Sequence, residues 1–326
     1  MNKLPYERER SVITREEAET DKKFGKRPEE RTIEENLDFG ILNLNKPQGP
    51  TSHQVSDYVK KILEVKRAGH SGTLDPNVTG VLPIALNRGT RILKLLLKTG
   101  KEYVCLMHLH DDVSEEKIKK TMKKFIGKVI QKPPVRSAVK RVERERMIYY
   151  IEILEINKRD VLFRIGCEAG TYIRTICTAV GKQLGTGAHM AELVRTKVAM
   201  FNDANWVSLH DLKDAYEFHQ ENDNKDIKKI IYPIEKAVQH LPKVWVFDSA
   251  VDSLCHGADL NIPGISKLNE SIEKNELVAV MTLKDELICI GNSEMDSKDI
   301  LKKKKGTVIK EKKVFMERGV YPKRKF

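Results

Sequence analysis

The sequence contains few cysteines, and no two of them form a close pair. The 326 residues include five cysteines, which are Cys105, Cys167, Cys177, Cys255 and Cys289. An odd number of scattered cysteines argues against a disulfide framework and against a cysteine zinc site. We therefore expect each cysteine to be a small apolar side chain of the core, in a reducing compartment.

Long apolar runs are also missing. No apolar stretch reaches the roughly 20 residues that a membrane-spanning helix needs. The N-terminus lacks the charged, apolar and small-residue pattern of a secretory signal. These absences predict a soluble cytoplasmic protein with neither a membrane partner nor a targeting signal.

Acidic residues are outnumbered by basic ones. The chain has 59 Lys and Arg against 47 Asp and Glu, a net charge of +12 and a pI near 9.3. This balance favours a polyanionic partner such as RNA or DNA. Residues 298–326 hold 12 basic and 3 acidic side chains, so this tail carries +9 of the total. It includes four candidate phosphate-binding residues, Lys302, Lys303, Lys304 and Lys305, for which a merely solvated face is the alternative interpretation.

Local patterns divide the chain into three parts. Residues 1–36, with 9 basic and 10 acidic side chains, predict an extended or weakly helical charged arm. Residues 37–240 mix strand and helix patterns without a strict βαβ repeat, which predicts an α+β domain with a mixed sheet. Residues 241–326 contain short β-rich segments between polar turns, as in a small β-barrel that packs with the arm.

Several elements are predicted within the α+β domain. A strand is expected to end at Lys46 and a helix to follow over residues 53–65. Residues 101–110 predict a strand, and residues 147–170 predict a hairpin of two β-rich runs. A later helix is expected to end at Gly185.

Polar residues cluster after the strand at 101–110. His108, His110, Asp111 and Asp112 suggest a metal site, because alternate residues of a strand share a face. No third ligand is identifiable elsewhere. Ser114 is a plausible N-cap for a helix over residues 115–127, so we favour a strand-to-helix junction over a metal site.

The stretch "GHSGTLDP" at residues 69–76 surrounds one carboxylate with small residues. Its glycines allow backbone angles that other residues avoid, and Pro76 biases Asp75 toward an extended conformation. A rigid loop of this kind presents a carboxylate as a nucleophile or a base. The alternative is that Asp75 caps a turn through its own backbone.

Five segments resemble, in order and approximate spacing, the TruB family of pseudouridine synthases. They are "LNLNKPQGPTSHQV", "GHSGTLDPNVTGVLPIAL", "KEYV", "QKPPVRSAVKR" and "GTYIRTICTAVGKQLGTGAHMAELVRT". "AVDSLCHGADLNIPGI" and "GVYPK" are similar to a PUA RNA-binding domain. With the charged arm, the layout resembles the archaeal and dyskerin-like branch of the family.

The resemblance implies isomerisation of uridine to pseudouridine in RNA, without a cofactor or a metal. The N1 glycosidic bond would break and the same uracil would rejoin the ribose through C5. The enzyme would act on ribosomal RNA as the catalytic subunit of an H/ACA guide ribonucleoprotein, on the T-loop uridine of tRNA without a guide, or on both. A non-catalytic RNA-binding scaffold is the alternative.

The implied partners are guide RNA, ribosomal RNA, tRNA and small companion proteins. In the family these companions include a zinc-ribbon or peptide-like protein, a β-barrel protein and a kink-turn-binding protein. Such a particle would take part in ribosome biogenesis and tRNA processing.

The resemblance also implies roles for particular residues. Asp75 would be catalytic, either attacking the ribose or assisting formation of a glycal intermediate. Tyr103 would stack on the target base and is a candidate for taking the C5 proton, while Arg174 would pair with Asp75. His70 would help to fill the gap left by the flipped uridine. The other positions expected to bind substrate or shape the pocket are Gly72, Thr73, Lys46 and Leu193.

The chain departs from the family pattern after Arg174. Ala179 stands where an acidic residue is usual, and Val194 replaces the first of two adjacent arginines. The family's glycine before Phe201 is also missing. These changes put RNA contacts and local packing in doubt more than the chemistry.

Overall fold

The computed structural model describes residues 3–133, 142–222 and 226–323. The chain forms two compact units. The large unit consists of the N-terminal residues through Glu7 together with Leu42–Ile230, and the small unit consists of Arg8–Ile41 together with Ile231–Phe326.

The secondary structure alternates strands and helices along the whole chain. The strands are β1 (Val12–Thr14), β2 (Gly40–Lys46), β3 (Ala68–His70), β4 (Thr79–Leu86), β5 (Lys101–Leu109), β6 (Gly127–Gln131), β7 (Arg144–Asn157), β8 (Asp160–Cys167), β9 (Ala188–Val198), β10 (Phe201–Asn202), β11 (Ile231–Pro233), β12 (Lys243–Val246), β13 (Leu260–Asn261), β14 (Ile265–Asn269), β15 (Leu277–Met281), β16 (Leu287–Ser293) and β17 (Thr307–Val314). The helices are α1 (Ile33–Phe39), α2 (Ser52–Ile62), α3 (Leu93–Lys98), α4 (Glu115–Lys123), α5 (Ile173–Leu184), α6 (Leu209–Asn222), α7 (Ile227–Ile230), α8 (Asp248–Cys255) and α9 (Ser297–Lys302).

A mixed sheet forms the body of the large unit. Its strand order is β2-β4-β9-β5-β8-β7-β6, with β3 beside β4 and β10 beside β9. The central strand β5 is antiparallel to β8 on one side and to β9 on the other, whereas β4 and β9 run parallel. A mixed sheet with helices between its strands confirms the predicted α+β class.

The core of the large unit lies between this sheet and helices α4 and α5. Buried apolar side chains of β5 and β8, such as Met107 and Phe163, pack with Ile176 of α5. Cys105 and Cys177 contact each other in the same core, with 3.6 Å between their free thiols. All five cysteines are buried, as the sequence predicted for small apolar side chains.

Local sequence signals account for the ends of the helices that border the site. A capping box formed by Thr51 and Gln54 starts α2. Gly185 ends α5 with a φ of 85°, the left-handed geometry that glycine adopts easily, which confirms its predicted role. The N-cap prediction for Ser114 was only partly right. Ser114 occupies the N-cap position of α4, but its hydroxyl makes no capping hydrogen bond.

The small unit contains a seven-stranded sheet in the order β1-β14-β12-β15-β16-β17-β13. The arm joins this sheet because β1 pairs with β14, placing Val12 opposite Asn269. Arg31 makes two parallel hydrogen bonds of 2.8 and 2.9 Å to the carboxylate of Glu235. In the described residues, no helix of either unit is long and apolar enough to cross a membrane.

Candidate active site

The stretch containing Asp75 forms a tight turn between two strands. It leaves β3 after His70 and enters β4 at Thr79. The turn is closed by the backbone, because the Val78 amide donates to the Asp75 carbonyl over 3.0 Å. The carboxylate of Asp75 is exposed, so this side chain is available for contacts beyond the turn.

Arg174 supplies the contact to that carboxylate. It is the second residue of α5, and its Nη2 donates to Oδ2 of Asp75. The two side chains remain 48% and 53% exposed, respectively. An ion pair as open as this adds little to the stability of the fold. Its effect is to keep the carboxylate directed toward the start of α5, in the pairing that the sequence predicted.

A buried ammonium group supports the turn from inside. Lys46, at the end of β2, has no exposed surface, and its Nζ donates to the carbonyls of Pro47, Pro76 and Val78 over 2.8, 3.0 and 2.9 Å. Burial lowers the pKa of Lys46, the nearby positive charge of Arg195 lowers it further, and Asp75 opposes both effects. This placement favours the structural role of Lys46 over direct contact with substrate.

Ser52 holds the other side of the turn. The Leu74 amide donates to Ser52 Oγ over 2.8 Å, and this hydroxyl donates to the Leu74 carbonyl over 3.2 Å. The Gly49 amide also donates to the Pro76 carbonyl over 2.9 Å. Backbone groups on both sides of Asp75 are therefore bonded to the segment "GPTS". That segment is part of a motif recognised in the sequence, but the sequence alone assigned no role to Ser52.

Tyr103 lies next to Arg195, a residue that sequence reasoning did not select. The two residues are cross-strand partners in β5 and β9. The Arg195 guanidinium is buried and donates to the carbonyls of Val81 and Gly72 over 2.7 and 3.1 Å. Burial raises the pKa of Tyr103, and the positive charge of Arg195 opposes that rise. Asp75 is near enough to act on the same pKa.

Gly80 allows β4 to approach β9 closely at this point, because glycine has no side chain. A Cβ atom on Gly80 would lie 2.2 Å from the carbonyl oxygen of Arg195. The φ of Gly80 is +110°, which other residues rarely adopt. Glycine at this position thus allows the strand carrying Arg195 to pass beside the turn.

The remaining predicted positions surround the same turn. The His70 ring accepts a hydrogen bond from the Gly72 amide over 3.3 Å at Nδ1. Burial lowers the pKa of His70, and the charges of Arg195 and His53 lower it further, so its ring is neutral at pH 7. Thr73 is exposed beside Asp75, whereas Leu193 is partly buried and packs on the core opposite Cys105.

Lys101 is a second buried lysine behind the site. It is 5% exposed, and its Nζ donates to the carbonyls of Leu96, Leu97 and Thr99 over 3.0, 2.9 and 2.6 Å. These carbonyls belong to the C-terminal end of α3, where a positive charge is favourable. Burial, together with the charge of Arg195, lowers the pKa of Lys101 to about 7. The sequence contained no signal that this lysine is buried.

The segment "QKPPVRSAVKR" lies mainly outside the described residues, in the gap at 134–141. Its first residue, Gln131, makes two hydrogen bonds to the Tyr172 backbone, each about 3 Å long. Because Tyr172 immediately precedes α5, Gln131 ties this segment to the helix that carries Arg174.

The two departures from the family pattern lie on elements of the site. Ala179 is partly buried on α5, and Val194 of β9 pairs with Val104 and with Thr79. Neither residue makes a polar side-chain contact, because neither carries a polar group.

The polar cluster at the end of β5 makes contacts of its own. His108 lies 2.7 Å from Asp160, and His110 Nε2 lies 3.0 Å from His189 Nδ1. Asp112 accepts from Arg159 over 2.7 Å. Within residues 3–133, 142–222 and 226–323, no group of three or more His, Cys, Asp or Glu side chains is arranged to hold a metal ion.

The lysine-rich tail belongs to the small unit. Its four candidate residues, Lys302, Lys303, Lys304 and Lys305, are all exposed at the end of α9 and just beyond it. Lys303 pairs with Asp299 over 2.9 Å. The cluster is an exposed positive surface that polyanions can reach.

Family models match nearly the whole chain. The N-terminal domain of the TruB family pseudouridylate synthases matches residues 60–173, and the C-terminal domain of tRNA pseudouridylate synthase B matches residues 174–239. A PUA domain matches residues 242–315, and a DKCLD domain matches residues 2–56.

Curated relatives and solved structures agree with these matches. The probable tRNA pseudouridine synthases B of Pyrococcus abyssi and Methanopyrus kandleri are 54% and 51% identical, each over 98% of this chain and over 97% and 95% of their own lengths. A chain in the crystal structure of a Cbf5-Nop10-Gar1 complex is 54% identical with a TM-score of 0.93, over 99% of both chains. A chain in an H/ACA ribonucleoprotein bound to a substrate RNA containing 2′-deoxyuridine is 52% identical with a TM-score of 0.92, over 98% of this chain and 99% of that one. With this likeness along its length, and with Asp75 paired to Arg174 on the framework described above, the chain belongs to the TruB family of pseudouridine synthases.

Proposed function

We propose that this pseudouridine synthase acts on uridines of RNA with Asp75 as its catalytic carboxylate. The main observation behind this proposal is the geometry of the turn that contains Asp75. Its backbone is held by Lys46 and Ser52, while the one carboxylate at its tip is exposed and paired with Arg174. Preorganised groups of this kind lower the cost of reaching a reactive geometry.

The reaction requires one bond to break and another to form on the same base. The N1–C1′ bond breaks, C5 bonds to C1′, the C5 proton leaves and N1 gains a proton. Asp75 would act at the ribose, by attack at C1′ or by taking a proton on the way to a glycal. Arg174 would orient the carboxylate and balance its negative charge. Both routes need a carboxylate that can reach the sugar of a uridine flipped out of its stack.

Other residues would bind the uracil ring during the reaction. Tyr103 presents an aromatic ring beside the turn, on which uracil would stack while it rotates. His70 is neutral and partly buried beside the same turn, so it suits a gap-filling contact with stacked bases better than a contact with phosphate. Thr73 of the turn and Leu193 of β9 would complete the predicted pocket.

The setting in which this chain acts would follow that of its relatives. The similar chains come from a Cbf5-Nop10-Gar1 complex and from a ribonucleoprotein with bound substrate RNA. We propose that this chain likewise works in an H/ACA particle with guide RNA and small companion proteins, on ribosomal RNA. Curated relatives are named for tRNA, which favours guide-independent modification of tRNA as a second activity.

A tritium-release assay tests the proposal, because the hydrogen at C5 leaves during the reaction. Purified protein is incubated with tRNA and with ribosomal RNA fragments labelled at uracil C5, with and without guide RNA and companion proteins. Product on tRNA alone identifies a stand-alone enzyme, whereas product only with guide and companions identifies a ribonucleoprotein subunit. RNA binding without product under either condition would favour the scaffold interpretation.

Asp75→Asn tests the catalytic assignment. The change removes the charge at nearly constant volume, and we expect turnover to be abolished while RNA affinity is largely kept. Asp57→Asn is the matched control, because Asp57 is a carboxylate of α2 whose ion pairs in the described residues are with Lys60 and Lys61 at the surface. Turnover in the Asp75→Asn protein would refute the assignment.

A further inference from the structure

Arg195 is a buried cation that forms no ion pair with a carboxylate of the described residues. It is 1% exposed and is the largest fully buried side chain in the described part of the chain. Buried arginines are normally paired with an acid, because burying an unpaired charge costs several kcal/mol. Within the described residues, the hydrogen bonds of this guanidinium go instead to two backbone carbonyls, and its charge acts on the neighbouring Tyr103.

Those contacts lie on three different segments. Nε donates to the Val81 carbonyl of β4 over 2.7 Å. Nη2 donates to the carbonyl of Gly72, three residues before Asp75, over 3.1 Å. Tyr103 is the direct cross-strand partner of Arg195 in the β5–β9 ladder. One rigid planar group thus connects the strand that carries the aromatic ring with the turn that carries the carboxylate.

A local irregularity in the sheet places Arg195 at this point. The pairing register between β5 and β9 shifts between Glu102 and Tyr103, so that Glu102 is opposite Lys197 while Tyr103 is opposite Arg195. The intervening Thr196 donates instead to the Glu102 carboxylate over 2.8 Å. Bulges of this kind redirect a side chain and are frequent beside active sites.

Other positive charges near Arg195 raise the free-energy cost of burying it. Two further cations, Lys46 of β2 and Lys101 of β5, are buried near enough that Arg195 lowers the pKa of each. His70 of β3 experiences the same charge. Each of the two lysines is satisfied by three backbone carbonyls rather than by a carboxylate. Buried like charges destabilise a fold, and such destabilising arrangements are typical of sites where function requires them.

We propose that Arg195 is a positioning residue for the isomerisation, coupling the Tyr103 hydroxyl to the turn that carries Asp75. This role rests on the proposed function. Arg195 fixes the distance between ring and carboxylate, because it is the cross-strand partner of Tyr103 and its guanidinium binds the Gly72 carbonyl. The positive charge of Arg195 also acts on the Tyr103 phenol, so it stabilises the phenolate when Tyr103 takes part in proton transfer.

Arg195→Lys tests the coupling, because lysine keeps the charge but cannot span the same contacts with one ammonium. We expect kcat for tritium release to fall about 100-fold, with KM and RNA affinity changed less than about threefold, since a loss of alignment acts on the chemical step. Arg159→Lys, at the exposed β7–β8 turn, is the matched control. Wild-type kcat in Arg195→Lys, or an equal loss of RNA affinity and kcat, would overturn the proposal.

A double-mutant cycle with Tyr103→Phe separates positioning from general support of the fold. Phenylalanine keeps the stacking ring but removes the phenol group on which the charge of Arg195 acts. We expect Tyr103→Phe alone to lower kcat, and Arg195→Lys to cost less than about tenfold in that background. Full additivity would mean that Arg195 does not act through Tyr103.

If Arg195→Lys fails to fold, as judged by tryptophan fluorescence, Tyr103→Phe still decides the matter. An unchanged kcat in that protein leaves nothing for Arg195 to position and overturns the proposal. Absence of product from the wild-type protein with guide, companions and RNA is a different result, because it contradicts the proposed function itself.

Discussion

Replacing Lys46 with methionine removes an ammonium group from beneath the active-site turn while keeping a side chain of similar length. Three carbonyls, those of Pro47, Pro76 and Val78, lose their charged donor. Hydrogen bonds to charged groups contribute about 1.5–3 kcal/mol each. The substitution also removes the cost of burying an ammonium group, which offsets several kcal/mol of this loss. We therefore expect the free energy of unfolding of the large unit to fall by about 3 kcal/mol.

Catalysis should suffer as well, because Pro76 and Val78 flank the turn at Asp75. Loosening that backbone displaces the carboxylate, and a displacement of about 1 Å can cost about 100-fold in kcat. We expect a loss of this order in tritium release, with RNA affinity retained because the lysine is buried beneath the turn.

Urea unfolding measures the change in the free energy of unfolding. Trp206 lies in the large unit and Trp245 in the small unit, so a Trp245→Phe background leaves one fluorescent reporter of the unit that contains Lys46. Lys60→Met is the control, since Lys60 is 42% exposed and pairs only at the surface. If Lys46→Met loses less than about 1 kcal/mol and keeps its turnover, the inference that Lys46 supports the turn is wrong.

Two further predictions concern the other lysines. The pKa of Lys101 is about 7 in the folded chain and about 10.4 when unfolded, so the unfolded state binds more protons between these values and stability rises with pH across that window. We expect Lys101→Met to remove a slope of up to about 1.4 kcal/mol per pH unit between pH 7 and 10; identical slopes in urea titrations of the two proteins would contradict it. Changing Lys302 to Lys305 together to glutamine should lower the slope of log affinity for RNA against log salt by about 3, and an unchanged slope would mean that the tail does not contact phosphates.

Much of the framework could be predicted from sequence because it depends on local patterns. The end of β2 at Lys46, the helix α2 and the end of α5 at Gly185 follow from apolar periodicity and from glycine. Asp75 and Arg174, 99 positions apart, were paired through the family resemblance, and the structure brings them into contact. Their catalytic roles stay predictions.

The supports of the site were harder to predict. Ser52, Lys101 and Arg195 bind backbone carbonyls or amides, and every residue in a sequence offers such groups. A sequence therefore contains no complementary residue type that would reveal the pairing, as an acid does for an arginine. The β-bulge that places Arg195 opposite Tyr103 is equally invisible before the strands are aligned.

By itself, the sequence determined the α+β framework, the two chemically distinct ends of the chain and the carboxylate at the tip of a glycine-framed turn. Only the tertiary structure decided which positive charges are buried. Lys46 and Lys101 are enclosed by converging carbonyls, whereas Lys302 to Lys305 remain exposed on the small unit. The side chains are chemically identical. Their environments differ because carbonyl oxygens from separate segments can replace water around an ammonium group only after the chain has folded.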